Sequence, residues 1–282
     1  MRFGIFNKFG ALNSQPVFEA FERGLKQLGL EYRSHDVTAD VAVIWSQVWA
    51  GRMQGNQQVW QYFRNNHRPV IVLEVGLLNR GKTWKVGVNG TGNTAYWGQG
   101  LDASRVTRLG LALKPWRTTG SNIVIATQRS DSEQWHEQPD ANTWVADTVK
   151  QVQAYSDRPI ILRTHPRQRV VPPPGCTYQV PQKLANSYDD FDFDQCLHDA
   201  WAVINWNSGP GVQAAMAGVP VFVGASSLAA PVGNLDLSQI EKPVRPDRTN
   251  WLVDIAHTEW TVSEIATGYP IKRLLPGLDP MK

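Results

Sequence analysis

Three short stretches of the chain combine residue types that hold anions: Gln128-Arg129, Arg163 with His165 and Arg167, and Asn207-Ser208-Gly209-Pro210-Gly211. Each follows an apolar, β-branched run (NIVIAT at 122–127, PIILRT at 159–164, AVINW at 202–206), so each is expected at the carboxyl end of a buried strand. The third stretch also opens a helix over 212–217. Pro210 suits a first helical position, Asn207 or Ser208 can cap, and the glycines admit a ligand to the backbone. A helix start with bare N–H groups attracts phosphate, and guanidinium forks match phosphate oxygens. Together the three stretches predict a pyrophosphate clamp along one sheet edge. Singly, each has a plainer explanation: a solvated arginine, a structural histidine before proline, a well-capped turn in an ordinary βαβ unit.

A second set could handle protons. Glu74 ends the run PVIVLEV (69–75), and His35 and Asp36 follow a short strand at 31–35. A carboxylate or imidazole at a strand end can take a proton from an attacking hydroxyl. For Glu74 the alternative is an ion pair with Arg80. Between 78 and 117 the hydrophobic period breaks down, and the segment 79–100 holds six glycines. This reads as a long ordered loop in which Lys82, Lys85, Arg105, Arg108, Lys114 and Arg117 alternate with Trp84, Tyr96, Trp97 and Trp116. Arg80, Lys82, Trp84, Lys85, Asn89 and Trp97 are its candidate acceptor-binding residues. A surface excursion of β-hairpins covering the sheet is the other reading of the segment.

The elements that must carry these residues alternate between strand and helix. Strands are expected at 2–6, 31–35, 41–45 and 69–75, with helices at 16–29 and 54–66. A second series follows Lys114-Pro115-Trp116: strands at 122–127, 159–164, 202–206 and 219–223, and helices at 142–154 and 192–198. One or two helices are expected over 247–268. Domains are expected at 1–117, 118–246 and 247–282, the last returning to the first. At 282 residues, with 42% hydrophobic and 19% charged residues, the chain suits a folded α/β protein. A net charge of +3 permits a polyanionic partner without requiring one. Twelve tryptophans exceed what a core needs, and indoles also stack on sugars and bases. Cys176 and Cys196 lack metal spacing, and no apolar run is long enough for a signal peptide or membrane span. The expected setting is cytoplasmic. The sequence DFDFD at 190–194 precedes a short helix and reads as a cap and solvated turn, so no metal ligands are expected.

PIILRTHPR followed by DAWAVINWNSGPGVQAAMAGVPVFV resembles the carboxy-terminal half of GT-B glycosyltransferases, notably the capsule-polysaccharide-type and phage-encoded ones. In those families an HP motif follows a strand, and a turn and helix ending E-A-x-x-x-G-x-P hold a nucleotide-sugar. The match covers 160–224; VIVLEVGLLNRGKTWKVGVNGTG resembles phage glycosyltransferase-like proteins more weakly. The resemblance implies two facing Rossmann-like domains, donor on the second, acceptor on the first, and a C-terminal helix crossing back. It implies Gln128, Arg129, Arg163, His165, Arg167, Asn207, Ser208, Gly209, Gly211 and Gln213 as donor-binding residues. Gln213 stands where many members carry a ribose-binding Glu; it still hydrogen-bonds hydroxyls but brings no charge. The implied reaction is metal-independent transfer from a UDP-sugar, with no further cofactor. Phage enzymes of this type modify hydroxymethylated pyrimidines such as 5-hydroxymethylcytosine, making double-stranded DNA the leading acceptor, with a flipped base. A cell-surface glycan comes next. A nucleotide-sugar 2-epimerase and a non-catalytic nucleic-acid-binding protein are the readings from other classes.

Overall fold

A computed structural model describes residues 1–278. In chain order these form β1 (Arg2–Ile5), α1 (Gln15–Gln27), β2 (Glu31–Ser34), β3 (Val41–Trp45), α2 (Gly55–Asn65), β4 (Val70–Val75), β5 (Thr83–Val88) and α3 (Ser104–Arg108). There follow β6 (Asn122–Ala126), α4 (Ala141–Gln153), β7 (Ile160–Arg163), β8 (Cys176–Gln179), α5 (Phe193–Cys196), β9 (Ala200–Asn205), α6 (Gly209–Met216) and β10 (Val221–Val223). The last elements are α7 (Thr249–Ala256), β11 (Glu259–Thr261), α8 (Val262–Ala266) and α9 (Tyr269–Leu274).

The chain divides into two compact units. Unit 1 holds Met1–Gly110, Asp131–Glu133 and the segment from Val253 onward; unit 2 holds Leu111–Ser130 and Gln134–Leu252. In unit 1 a six-stranded sheet has the order β11-β5-β4-β3-β1-β2. The β2, β1, β3 and β4 strands run parallel, while β5 is antiparallel to both β4 and β11. Strand alternation divides the apolar residues between two faces. Phe3, Ile5, Val43 and Trp45 pack with Val17, Phe18, Phe21 and Leu25 of α1, all fully buried. Each such side chain contributes about 1.5–3 kcal/mol relative to exposure. Ala42, Ile44, Val70 and Val72 turn to the other face, against Val59, Trp60 and Phe63 of α2. The C-terminal helices lie on α1, closely enough that a Cβ on Gly24 would come within 2.5 Å of Ile265 O.

Unit 2 is built on a five-stranded, all-parallel sheet of order β10-β9-β6-β7-β8. Ile123, Ile125, Leu162, Ala202, Ile204 and Phe222 meet Val145, Val149 and Val152 of α4 on one face. The Asp140 carboxylate caps α4, accepting the N–H groups of Asn142 (2.9 Å) and Thr143 (3.2 Å).

Three strands, and the short helices α3 and α9, differ from the sequence-based expectation. The stretch taken for a loop contains β5, an interior strand of the first sheet, because its register with β4 and β11 supplies backbone partners that compensate for glycine and lysine in TWKVGV. Where only helices were expected at 247–268, β11 interrupts them and adds an edge strand beside β5. Strand β8 went unread because it is a short edge strand whose central pair, Thr177 and Tyr178, is exposed.

Arg105, expected in a basic acceptor-facing loop, is 1% exposed and holds the C-terminal segment of unit 1 in place. It donates to Ala256 O and Glu259 O, each at 2.6 Å, pairs with the Glu264 carboxylate, and stacks 3.8 Å above the Trp260 ring. Beside it, buried His257 accepts the Asp102 N–H at Nε2 (3.1 Å) and lies 2.7 Å from Val253 O through Nδ1, which fits a neutral ring donating from Nδ1. Burial first, and then Arg273 and Arg105, press its pKa below 6.5. Its stabilising contribution is therefore complete above pH 6.5 and declines as the pH falls below that value, since the unfolded chain takes the proton first. Thermal melts from pH 7.5 to 5.5 should show a decline in stability that is smaller in His257→Gln; equal slopes in the two proteins would exclude this contribution.

Candidate functional site

In unit 2, β6, β7 and β9 lie side by side, so their carboxyl ends form one edge. Gln128 and Asn207 are locked amide to amide: Gln128 Nε2 donates to Asn207 Oδ1 (2.8 Å), and the Asn207 N–H donates to Gln128 Oε1 (2.9 Å). Asn207 Nδ2 also reaches Ser226 Oγ at 3.0 Å. Behind them, Asn205 Nδ2 donates to Ala126 O and to Ser208 Oγ, both at 2.9 Å.

Neither residue expected to cap α6 does so. Ser208 sits at the N-cap with extended backbone (φ −91°, ψ 179°), but its side chain makes no cap hydrogen bond. The polar side chains around the turn bond to one another, which leaves the first turn of α6 uncapped. Pro210 brings no N–H and the Gly211 N–H already donates to Ser208 O (3.2 Å), so among the described residues the Gly209 N–H is the one left to meet a ligand at the helix start. Such an end carries about half a positive charge and accepts a phosphate oxygen. Gln213, on the next turn, is partly exposed.

The arginines are placed differently from the predicted clamp. Arg163 is 4% exposed, pairs with the Asp192 carboxylate and donates to Val180 O (3.3 Å). Asp192 therefore lies buried rather than in a solvated turn. Burial alone would raise its pKa, but the Arg163 hydrogen bond and the Gln182 N–H outweigh that and hold the carboxyl below 3.8. Arg167 is exposed and forked onto both Asp189 oxygens at 2.7 Å. The His165 N–H donates to Thr127 Oγ1 (2.9 Å) while Nδ1 accepts the Arg167 N–H (3.1 Å), which leaves Nε2 as the proton-bearing donor of the neutral ring. Arg129, half-buried, lies three residues past the end of β6. The edge thus brings together Gln128, Arg129, His165, Asn207, Ser208, Gly209 and Gly211, with Arg163 beneath it as a structural brace.

In unit 1, Glu74, Lys85 and Glu259 stand in register across three adjacent strands. Glu259 is 1% exposed, and its oxygens accept the N–H groups of Leu77 (2.6 Å) and Leu78 (3.0 Å) and the Thr83 hydroxyl (2.8 Å). Gly76 is required at this turn, because a Cβ there would lie 2.2 Å from Thr83 O. Lys85 is half-buried, and its Nζ donates to Thr91 O at 3.5 Å. Burial pushes the Lys85 ammonium below 10.5, against the pull of Glu259 and Glu74. Glu74 is half-buried, with Oε1 accepting the N–H of Val75 at 2.8 Å. Trp97 packs on Gly87 of the same sheet, where a Cβ would come within 2.9 Å of its ring.

Other candidates lie elsewhere. Trp84 points to the opposite face of β5, into the α1 core. Asn89 lies at the far end of β5, where its Oδ1 accepts the Val70 N–H at 2.9 Å. Lys82 is exposed in the 79–83 turn, and Arg80 is half-buried beside it. Asp36 is committed to the Thr38 N–H and hydroxyl (2.8 and 2.7 Å) and to Arg2 (2.9 Å); chiefly through Thr38, its pKa is lowered. His35 is exposed in a left-handed conformation (φ 53°) between the rings of Phe6 and Phe9. Partial burial, then Lys8, lowers its pKa. Three strand steps separate His35 from Glu74, about 14 Å. The two groups cannot serve one reacting atom. Sequence reasoning missed Glu259, hidden in a presumed helix, and Asn205, although a polar residue ending an apolar strand was a usable signal.

No protein-family model and no curated protein sequence matches the chain. Solved structures do. The KpsC β-Kdo 2,4 transferase of Thermosulfurimonas dismutans superposes with a TM-score of 0.54 at 13% identity, over 94% of this chain and 98% of its own. The KpsC β-Kdo 2,7 transferase of the same organism gives 0.52 at 14%, over 96% and 100%. A UDP-N-acetylglucosamine 2-epimerase from Listeria monocytogenes aligns at 10% identity and a TM-score of 0.33, too loosely to carry weight. The fold is α/β of the GT-B type, with two Rossmann-like sheets, each on its own unit. Among the described residues no helix is long and apolar enough to cross a membrane.

Proposed function

We propose that the chain is a glycosyltransferase that moves a sugar from a nucleotide-sugar to a hydroxyl of a glycan. The observation that carries this reading is the uncapped start of α6 at the carboxyl edge of unit 2. The donor diphosphate would sit on the amide of Gly209 at the start of α6, with His165 Nε2 and Arg129 beside it. Those groups would stabilise the departing diphosphate without a metal ion. Gln213 would accept or donate to ribose hydroxyls; a UDP-sugar is the expected donor. Glu74 would take the proton from the acceptor hydroxyl, and Lys85 and Trp97 would line the acceptor's approach.

A glycan is favoured over DNA for two reasons. Two fold neighbours with TM-scores of 0.54 and 0.52 are Kdo transferases. Part of the basic set that suggested DNA is also committed inside the protein. Arg105 is buried against Glu264 and Arg117 binds the Leu197 and His198 carbonyls, while Lys82, Arg108 and Lys114 stay exposed. A DNA groove would present the committed arginines to phosphates as well.

The test is nucleotide release from a panel of nucleotide-sugars, offered with Kdo-terminated oligosaccharides or with DNA containing 5-hydroxymethylcytosine. Release that depends on the oligosaccharide supports the reading; release that depends on DNA would reassign the acceptor. Isomerisation of the donor without an acceptor would indicate an epimerase. Ser208→Asp separates binding from folding. A carboxylate at the N-cap stabilises α6 by about 0.3–1 kcal/mol yet repels a diphosphate. Calorimetry should show at least about tenfold weaker donor binding, equivalent to 1.4 kcal/mol, with no loss of thermal stability. Undiminished donor affinity would remove the α6 terminus from the site.

A further inference from the structure

The α4 face of unit 2 holds a cleft that borders the α6 terminus at Asn205 and opens on the other side of the sheet. Successive residues at the end of β9 point to opposite faces: Asn205 turns toward Gly211 of α6, while Ile204 and Trp206, the residue just past the strand, turn toward α4. Over these last two, and over Phe222 of β10, a cleft of about 620 Å³ opens between α4 and the 235–237 segment. That volume lies in the range of small-ligand sites.

Its lining has a particular chemistry. The floor is apolar, from Ile204 and Phe222, and Trp144 and Trp206 are half-buried beside it. Both indoles are fixed. Trp206 Nε1 donates to Gln134 O at 2.9 Å, and Trp144 meets Trp135 edge to face at 5.5 Å. Along the rim, the side chains of Gln138, Asp147 and Gln151 have no hydrogen-bond partner among the described residues. Asp236 is already engaged, accepting the Ser238 N–H and hydroxyl at 2.9 and 2.6 Å. No Lys, Arg or His lines the cleft.

We infer that this cleft is an accessory carbohydrate site that binds a neutral pyranose segment of a glycan. The lack of cations and the presence of two carboxylates argue against a phosphate or a nucleotide. Preset indoles offer flat apolar surface for the C–H face of a sugar ring without further ordering cost. Two side-chain amides and one carboxylate provide the mixture of donors and acceptors that vicinal hydroxyls require. A polyamine would use Asp147 but leave the amides idle. The inference rests on the glycan reading only for its choice of probe. Binding here needs neither donor nor catalysis, and it would tether a long acceptor while its end reacts elsewhere.

The experiment is saturation-transfer NMR and calorimetry on the whole protein without nucleotide, using maltotriose and chitotriose as probes and spermidine as the competing class. A trisaccharide should bind, and Asp147→Ala and Gln151→Ala should each weaken it at least threefold, and the pair at least tenfold. Both residues are exposed on α4, so these variants should fold; Trp144→Ala is a harsher check, to be read only if its melting is unchanged. Donor affinity, measured in parallel, should be the same in every variant. Absence of trisaccharide binding would overturn the inference, as would binding indifferent to the two variants or capture of spermidine in their place. None of these outcomes touches donor binding at α6, so this inference and the sugar-transfer reading can fail separately.

Discussion

Glu74→Gln should lower turnover by about 10²–10⁴-fold, the usual contribution of a positioned general base, and leave nucleotide-sugar affinity unchanged. The replacement keeps the side chain's length and still accepts the N–H of Val75, so the turn behind it should survive. The control is His35→Ala. Because some 14 Å of sheet separates the two groups, only one can reach the acceptor hydroxyl. Steady-state kinetics on both variants decides the matter. An inactive Glu74→Gln with an active His35→Ala supports the assignment, and the reverse pattern transfers the role to His35. Loss of folding in Glu74→Gln would instead mean that the carboxylate balances half-buried Lys85.

Arg163→Ala is expected to act on stability before it acts on the donor. Both partners of the Arg163–Asp192 pair are about nineteen-twentieths enclosed, with 4% and 5% of their side chains exposed. Removing the guanidinium leaves a carboxylate buried beside Gln182 and without a counter-charge, which costs about 3–5 kcal/mol. Urea unfolding should register that loss. Arg163→Met combined with Asp192→Leu should recover most of it, because an apolar pair of similar volume costs neither desolvation nor an unpaired charge. The Asp192 contribution is also pH-dependent: it is complete above pH 3.8 and disappears as the pH falls through the lower folded pKa. If Arg163→Ala instead keeps full stability and loses donor affinity, the guanidinium contacts phosphate after all.

The contrast between these residues shows how far the sequence could be read. Runs such as VAVIW and VIVLEV announce buried parallel strands because both faces must be apolar, and β1, β3, β4, β6, β7 and β9 all follow that rule. Strand β5 does not. TWKVGV is held by its neighbours rather than by its own composition, and half-buried Lys85 is tolerated because Glu74 and Glu259 flank it in register. The strand ends that carry Gln128, His165 and Asn207 were legible from spacing. Which arginines would be spent internally was not, because Asp192 is 29 residues from Arg163 and Glu264 is 159 from Arg105. An arginine in a sequence reads the same whether it awaits a ligand or already has a partner. The open start of α6 is likewise a tertiary outcome. Ser208 is a good capping residue by type, and only the position of Asn205 diverts it.

Backbone hydrogen exchange with and without a nucleoside diphosphate tests the donor's placement most directly. New protection is expected at Ser208–Val212, lost in Ser208→Asp, together with protection of the 128–129 and 165–167 segments beside it. Protection elsewhere, or none at the start of α6 at saturating nucleotide, would contradict the placement of the donor and the sugar-transfer reading built on it.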